Sequence, residues 1–219
     1  MENYNLNKRF QSAQFNHEIT AWEHNYLVIG ADEAGRGSLF GPVVASAVIL
    51  KPFAKHTDLK DSKLLTPEKR AILYHWLKEN SIFCTQITNH RDIDKHNIYQ
   101  ASRIAMQRAI INLVHKMGQY PKLILTDAMP LNFHNNNLSA IPVIHDPKGE
   151  YWSASIAAAS IVAKVERDLL MKNLSLINPC YNLEKNKGYG TIEHRELIIK
   201  HGKSFLHRQS FNLKEENHG

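Results

Sequence analysis

Cysteine, long apolar runs and linkers are all scarce in this chain. Its 219 residues include only two cysteines, Cys84 and Cys180, with no Cys-x-x-Cys pair, which excludes a disulfide framework and a thiolate zinc site. Both are expected as buried thiols in a reducing compartment. No apolar run approaches the roughly 18 residues of a membrane span, and the polar first 25 residues lack the apolar centre of a secretory signal. The expectation is a soluble, cytoplasmic protein. Repeats, low-complexity blocks and Pro/Gly/Ser linkers are missing too, so the chain reads as one domain with a sizeable core. The thirteen histidines follow no His-Glu-x-x-His pattern and define no metal site.

Positive charge is in excess: Lys plus Arg, 27, outnumbers Asp plus Glu, 21, by six, with an isoelectric point near 9.2. A basic balance favours an anionic partner, such as nucleic acid or a phosphate-rich surface.

The chain is organised around residues 26–50. Two apolar, β-prone runs, 26–29 and 43–50, flank a polar segment with adjacent acids Asp32 and Glu33, then Gly35, Arg36 and Gly37, then Gly41 and Pro42. Carboxylates directly after a buried strand must be solvated, ion-paired or metal-bound. Adjacent strand residues face opposite sides, but Ala34 and Gly35 let the strand end or bend, so both acids could serve one rim. The glycines bring bare backbone near a ligand, with a guanidinium suited to phosphate. The pattern is neither a phosphate-binding P-loop nor Gly-x-Gly-x-x-Gly, because position 40 is Phe.

Residues 1–24 form a loose extension or a short first helix. Thr66 caps a helix over 67–79 with Pro67 in its first turn. Residues 81–88 predict a strand, and 93–117 a long amphipathic helix stopped by Gly118. A short apolar strand over 121–127 then ends in Asp127. If it lies parallel to the first strand, Asp32 and Asp127 meet at the edge where α/β sheets place ligands. A strand over 141–144 and an Ala-rich helix capped by Ser153 or Ser155 follow. Alternating strands and helices indicate α/β.

Two further acids could complete a site. Glu150 precedes the Ala-rich helix and Asp168 lies inside it, roughly 20 Å or more away along the axis, so they cannot share one compact centre. Asp168 falls four residues from Lys164, as in a helical ion pair; Glu150 also suits a first-turn acid. Carboxylates without His or Cys form a hard-oxygen site for Mg²⁺ or Mn²⁺, and a pair of such ions suits phosphodiester hydrolysis.

Taken in order, DEAGRG at 32–37 with GP at 41–42, DSK at 61–63, Asp127, KGE at 148–150, SIAAASIVAKVERD at 155–168, KGYGT at 187–191 and HRQSF at 207–211 resemble the ribonuclease HII family. The resemblance spans about 26–211, leaving 1–25 as an N-terminal extension and 212–219 as a tail. It implies a ribonuclease H-like mixed sheet flanked by helices, with a C-terminal helical portion. It also implies a type 2 ribonuclease H that cuts RNA in RNA–DNA hybrids, and DNA 5′ to embedded ribonucleotides, leaving 3′-hydroxyl and 5′-phosphate ends.

By resemblance the metal-binding acids are Asp32, Glu33, Asp127 and Glu150, the last in preference to Asp168. Gly35, Arg36 and Gly37 match the segment that reads the ribose 2′-hydroxyl, and Tyr189 the ring that packs on the neighbouring deoxyribose. Lys63, Lys148, Lys187 and Arg208 are candidate phosphate contacts or active-site supports. The implied partners are RNA–DNA hybrid and ribonucleotide-containing duplex DNA, with no membrane, no small-molecule cofactor and a monomeric chain. Residues 209–213 lack the spacing of a replication-clamp motif.

The chain departs from the family pattern at Glu150, where ribonuclease HII usually has Asp and ribonuclease HIII has Glu. It departs again after Asp127, where Ala-Met-Pro replaces the more usual glycine. The longer acid bears on metal choice and on preference for single ribonucleotides over long hybrids. A DNA nuclease or resolvase, or a silent hybrid-binding module, are the competing readings.

Overall fold

The computed structural model describes residues 16–59, 62–134 and 137–213, apart from the side chains of Asn16 and Lys63. Residues 1–15 of the extension, Asp61 of the Asp-Ser-Lys motif, the Lys63 side chain and residues 214–219 of the tail lie outside the described residues.

A short helix, α1 (Asn16–Glu23), leads into β1 (Val28–Ala34) and β2 (Val43–Leu50), which pair antiparallel. Then come α2 (Pro67–Asn80) and β3 (Ser81–Thr88). Thr66 caps α2 by accepting from the Lys69 amide, as expected, and Pro67 opens it. Helix α3 (His90–Met117) is capped by Asn89 and stopped by Gly118 at φ 64°. It begins before the expected residue 93 and is interrupted at Asn97, whose φ is 62°. There the Asn97 side chain accepts from the Gln100 amide and caps the longer second part. An internal Asn cap had been hidden by the continuous apolar period.

Strands β4 (Leu123–Asp127) and β5 (Val143–Asp146) follow, then a single turn, α4 (Gly149–Trp152), and α5 (Ala154–Ile177). The strands order as β3-β2-β1-β4-β5, with β1, β4 and β5 mutually parallel and β2 and β3 antiparallel. This is the expected mixed sheet flanked by helices. Two short helices, α6 (Leu183–Asn186) and α7 (Ile192–His201), build the C-terminal portion.

Strand alternation assigns the two faces. Ile29, Ala31, Ala45, Ala47 and Ile49 pack with Ala105, Met106, Ala109, Ile110 and Leu113 of α3. Val48 and Leu50 face α2 and the alanines of α5. A Cβ on Gly30 would lie 2.1 Å from the Ser155 carbonyl carbon, so strand and helix backbones touch. Small residues make this contact; overpacking it costs about 1–3 kcal/mol per enlarged side chain. This close approach positions β1 against the start of α5.

Several boundaries move. β1 starts at Val28, and exposed Tyr26 lies outside it. β1 also runs on through Asp32 and Glu33 to Ala34, because β2 pairs with it that far, through Ala34↔Val44. β4 begins at Leu123 and β5 lies two residues later than expected. Cys84 is half-buried and Cys180 exposed, so the expectation of two buried thiols fails for Cys180. Residues 16–23 take the helical alternative: Trp22 is buried with the α2 and α5 side chains. Among the described residues no helix is long and apolar enough to cross a membrane.

Candidate active site

The parallel register decides the centre of the site. Ala31 stands opposite Thr126 on β4, so the next residues, Asp32 on β1 and Asp127 at the end of β4, lie side by side on neighbouring parallel strands. Both share the strand parity of Gly30 and Leu125, which face α5. Glu33 has the opposite parity, yet it lines the same cleft, with Ala34, Gly35, Arg36, Gly37, Ser62, Ser160, Lys164 and Tyr189. The cleft wraps the end of β1, so both adjacent acids reach it, as expected of a strand rim.

Glu150 joins through a hydroxyl. It is buried in α4, and Ser160 of α5 donates to its Oε1 at 2.6 Å. Ser160 also lies 2.8 Å from the Ser62 hydroxyl and hydrogen-bonds Asp32. Asp168 instead pairs with Lys164 at 2.7 Å and lines the adjoining groove, not the acid cleft. Glu150, and not Asp168, is thereby linked to Asp32 through Ser160.

Electrostatics at Asp32 are adverse. Burial, then the carboxylates of Glu33 and Asp127, push its pKa well above the usual carboxylate range, against opposing hydrogen bonds from Ser160 and the Glu33 amide. The other acids engage local donors: Glu33 lies 3.4 Å from the Arg36 guanidinium and Asp127 accepts from the Gly149 amide at 3.2 Å. Among the described residues no three His, Cys, Asp or Glu side chains meet in a ligating arrangement. The donor set nevertheless fits a hard divalent cation: all oxygen, mutually repelling, and centred on a buried acid whose ionised form such a charge would favour.

The loop beyond β1 rests on two buried arginines. Arg167 of α5 donates to the Pro42, Lys187 and Phe40 carbonyls and to the Ser38 hydroxyl. Arg208 donates to the Gly41, Arg36 and Gly35 carbonyls. Burial, then neighbouring Arg167, push the Arg208 guanidinium down to about 9, a measure of the cost that these carbonyls offset. Arg208 is fully buried, which fits the expected alternative of an active-site support, beneath the loop, and not that of a phosphate contact. Gly35 has φ 97°, and a Cβ there would lie 2.0 Å from Arg167 Nε. A Cβ on Gly37 would meet nothing within 4 Å, so the protein itself does not demand that glycine.

Tyr189 faces the loop across the cleft, with the Arg167 guanidinium 5.2 Å and the Lys164 ammonium 5.5 Å from its ring centre. Lys148 is exposed at the sheet edge, and Lys187 borders the adjoining groove. Ala128 adopts φ 51°, the left-handed conformation glycine takes freely. Its amide bonds the Asp146 carbonyl, while the Thr126 hydroxyl bonds the Met129 carbonyl.

Sequence reasoning missed Ser160, Lys164, Arg167 and Glu18. Lys164 was visible only as a helical ion-pair partner, and its place beside the acids required the fold. Glu18 of α1 is buried and accepts from the Ser153 hydroxyl and the Ser155 amide at the α5 N-terminus.

Residues 29–214 match the family profile of Ribonuclease HII. The chain is 48% identical over 190 residues to Ribonuclease HII of Rickettsia typhi, covering 87% of this chain and 93% of that one. It is 48% identical over 188 residues to that of Rickettsia prowazekii, covering 86% and 92%. The fold resembles RNase HII in its PCNA complex from Archaeoglobus fulgidus, with a TM-score of 0.67, 20% identity and 87% and 97% coverage. It also resembles ribonuclease H2 from Pyrococcus horikoshii OT3, with a TM-score of 0.66, 22% identity and 85% and 94% coverage. Bst-RNase HIII in complex with Mn²⁺ matches at a TM-score of 0.60 and 19% identity, over 89% and 70%.

Proposed function

The chain belongs to the ribonuclease HII family, divalent-metal-dependent type 2 ribonucleases H that hydrolyse RNA in RNA–DNA hybrids, and from that premise we propose that it also cuts duplex DNA 5′ to single embedded ribonucleotides. The role is removal of misincorporated ribonucleotides and hybrid RNA. The observation that carries the reading is the β1–β4 register, which sets Asp32 beside Asp127 in a cleft shared with residues 35–37 and Tyr189.

Asp32, Glu33, Asp127 and Glu150 are the residues that would hold Mg²⁺ or Mn²⁺. Bound there, two such ions would supply Lewis-acid activation of a water and charge stabilisation at a leaving 3′ oxygen. The protein's own groups do the rest. Backbone at residues 35–37, with the Gly35 and Arg36 carbonyls held by Arg208, lets a ribose approach closely enough for its 2′-hydroxyl to be read. The Tyr189 ring accepts the sugar face beyond it and leaves no room for an added hydroxyl. Arg36, exposed at the mouth, meets phosphate, as do Lys148 and Lys187 further out. Ser160 orients Glu150 and Asp32 together.

The test uses end-labelled duplexes with no, one or several consecutive ribonucleotides, incubated with Mg²⁺, Mn²⁺ or EDTA. The expected result is metal-dependent cutting 5′ to a single ribonucleotide, leaving 3′-hydroxyl and 5′-phosphate ends. Equal cutting of the all-DNA duplex, or cutting confined to ribonucleotide runs, would overturn the single-ribonucleotide reading.

A further inference from the structure

The two walls of the sugar-reading cleft, residues 35–37 and Tyr189, come from segments far apart in the chain, yet one dipeptide holds both. Arg208 grips the Gly35 and Arg36 carbonyls. Its neighbour His207 lies 3.4 Å, Nε2 to Nε2, from His194 of α7, and His194 Nδ1 lies 2.9 Å from the Tyr189 carbonyl oxygen. The middle of this assembly is three extended segments laid side by side. Leu39 and Phe40 amides bond the Gly188 carbonyl on one side, while the Gly41 amide and Leu39 carbonyl bond Leu206 and Arg208 on the other.

The donors fix which nitrogen carries each proton. The Ser204 amide can only donate, so His207 Nδ1 accepts at 2.9 Å and Nε2 holds the hydrogen. The Tyr189 carbonyl can only accept, so His194 Nδ1 donates and its Nε2 is left as the acceptor for His207. The result is a one-way chain from Ser204 through His207 and His194 to Tyr189, with both rings neutral and both fully buried.

We propose that His207 and His194 are positioning residues, a relay of fixed hydrogen-bond direction that sets Tyr189 against residues 35–37 and so determines how strictly the enzyme prefers deoxyribose next to the ribonucleotide it cuts. The inference rests on the assignment of Tyr189 to the deoxyribose made above. It does not concern the acids, which lie on β1, at the end of β4 and in α4.

An extra proton has no place in the relay. On His207 it would point Nδ1–H at the Ser204 N–H; on His194 it would oppose the two Nε2–H groups. The charged and titratable groups nearby are Arg195 and His201 on α7, Tyr181 on the turn before α6, and Lys203 and Arg208 on the C-terminal segment. Residues 38–41 bring none, and among the described residues no carboxylate acts on either ring. Burial, then His194 and Lys203, lower His207 to about 4, and burial lowers His194. The relay therefore stays neutral through the working range and is disrupted from the acid side.

The experiment compares kcat and KM on a duplex with a single ribonucleotide and on a continuous hybrid, for His194→Phe and His194→Asn. Phe fills the ring's place but cannot donate; Asn retains a donor for the Tyr189 carbonyl. Loss of one hydrogen bond in His194→Phe should lower the single-ribonucleotide preference about tenfold, through KM with kcat within about twofold, and His194→Asn should recover most of it. In the wild type the same preference should hold from neutral pH into mild acid and fall only as the pH approaches about 4, where His207 takes up a proton, after acid effects common to both substrates cancel. Should His194→Phe not fold, ring ¹⁵N shifts of the wild type decide: Nε2–H on His207 with Nδ1–H on His194 supports the relay, and any other pairing overturns it. A wild-type preference that His194→Phe leaves intact, or that Phe and Asn reduce equally, overturns the relay alone. A wild type indifferent to single ribonucleotides overturns the underlying reading as well.

Discussion

The acid rim and the cradle of residues 35–41 and Tyr189 meet in one cleft, but opposite physics holds them. At the rim, neighbouring parallel strands press like charges together; Asp32 is buried against Glu33 and Asp127 and its carboxyl is held far from its ordinary ionisation. In the cradle, irregular segments are tied by buried cations to backbone carbonyls and by neutral histidines to one another. Removing an acid relieves repulsion, whereas removing a cradle group orphans buried carbonyls. The rim is therefore expected to be dispensable for folding and indispensable for turnover, and the cradle to matter for both.

The sharpest way to break this contrast is at Asp32. Asp32→Asn should lower cleavage by about 10³-fold or more, roughly 4 kcal/mol of transition-state stabilisation, while hybrid binding persists and the melting temperature stays level or rises. Asp127→Asn should behave alike. Single-turnover cleavage, filter binding and calorimetry on the same preparations decide it; a variant that melts well below the wild type would show that the rim carries fold stability after all.

Glycine substitutions separate the two functions within the cradle. Gly35→Ala meets the Arg167 guanidinium at a φ of 97° and should cost about 3–5 kcal/mol by displacing a buried, fully bonded charge, or about 10 °C in melting temperature for a chain of this size. Gly37→Ala points its methyl into open space. It should melt like the wild type yet weaken use of a single-ribonucleotide duplex by about tenfold, as a methyl group stands where the sugar approaches. Parallel melting and cleavage assays of the pair test this; equal melting of both variants would dissociate Gly35 from Arg167.

The rim was the more legible region. Short apolar strands ending in Asp32 and Asp127 announce themselves by local pattern, and α/β alternation suggests that their ends meet. Thr66, Gly118 and Ser153 marked helix ends because caps are local chemistry. The cradle was not legible from pattern: Arg167 looks like any helical arginine, and its partners Ser38, Phe40, Pro42 and Lys187 lie far away in sequence. Arg208 was found by resemblance, but whether it meets phosphate or supports the site was open in the sequence, because a motif does not report burial. Asn97 was missed because a single-residue cap leaves the apolar period of α3 almost undisturbed.

The smallest effect probes a support on the acid side that precedes the family match, which begins at residue 29. Glu18 on α1 accepts from the Ser153 hydroxyl at 2.6 Å and the Ser155 amide at 2.9 Å, placing a carboxylate at the N-terminus of α5, just after the turn that carries Glu150. Glu18→Gln keeps the shape and removes the charge, so it should cost about 1 kcal/mol, seen as a fall of roughly 2–4 °C in melting temperature. Because Glu150 is also held by Ser160 further along α5, cleavage should change far less than in Asp32→Asn. A melting temperature unmoved by Glu18→Gln would mean that α1 does not fasten the helix start, and a large loss of cleavage would mean that the rim depends on α1 as strongly as the cradle depends on its arginines.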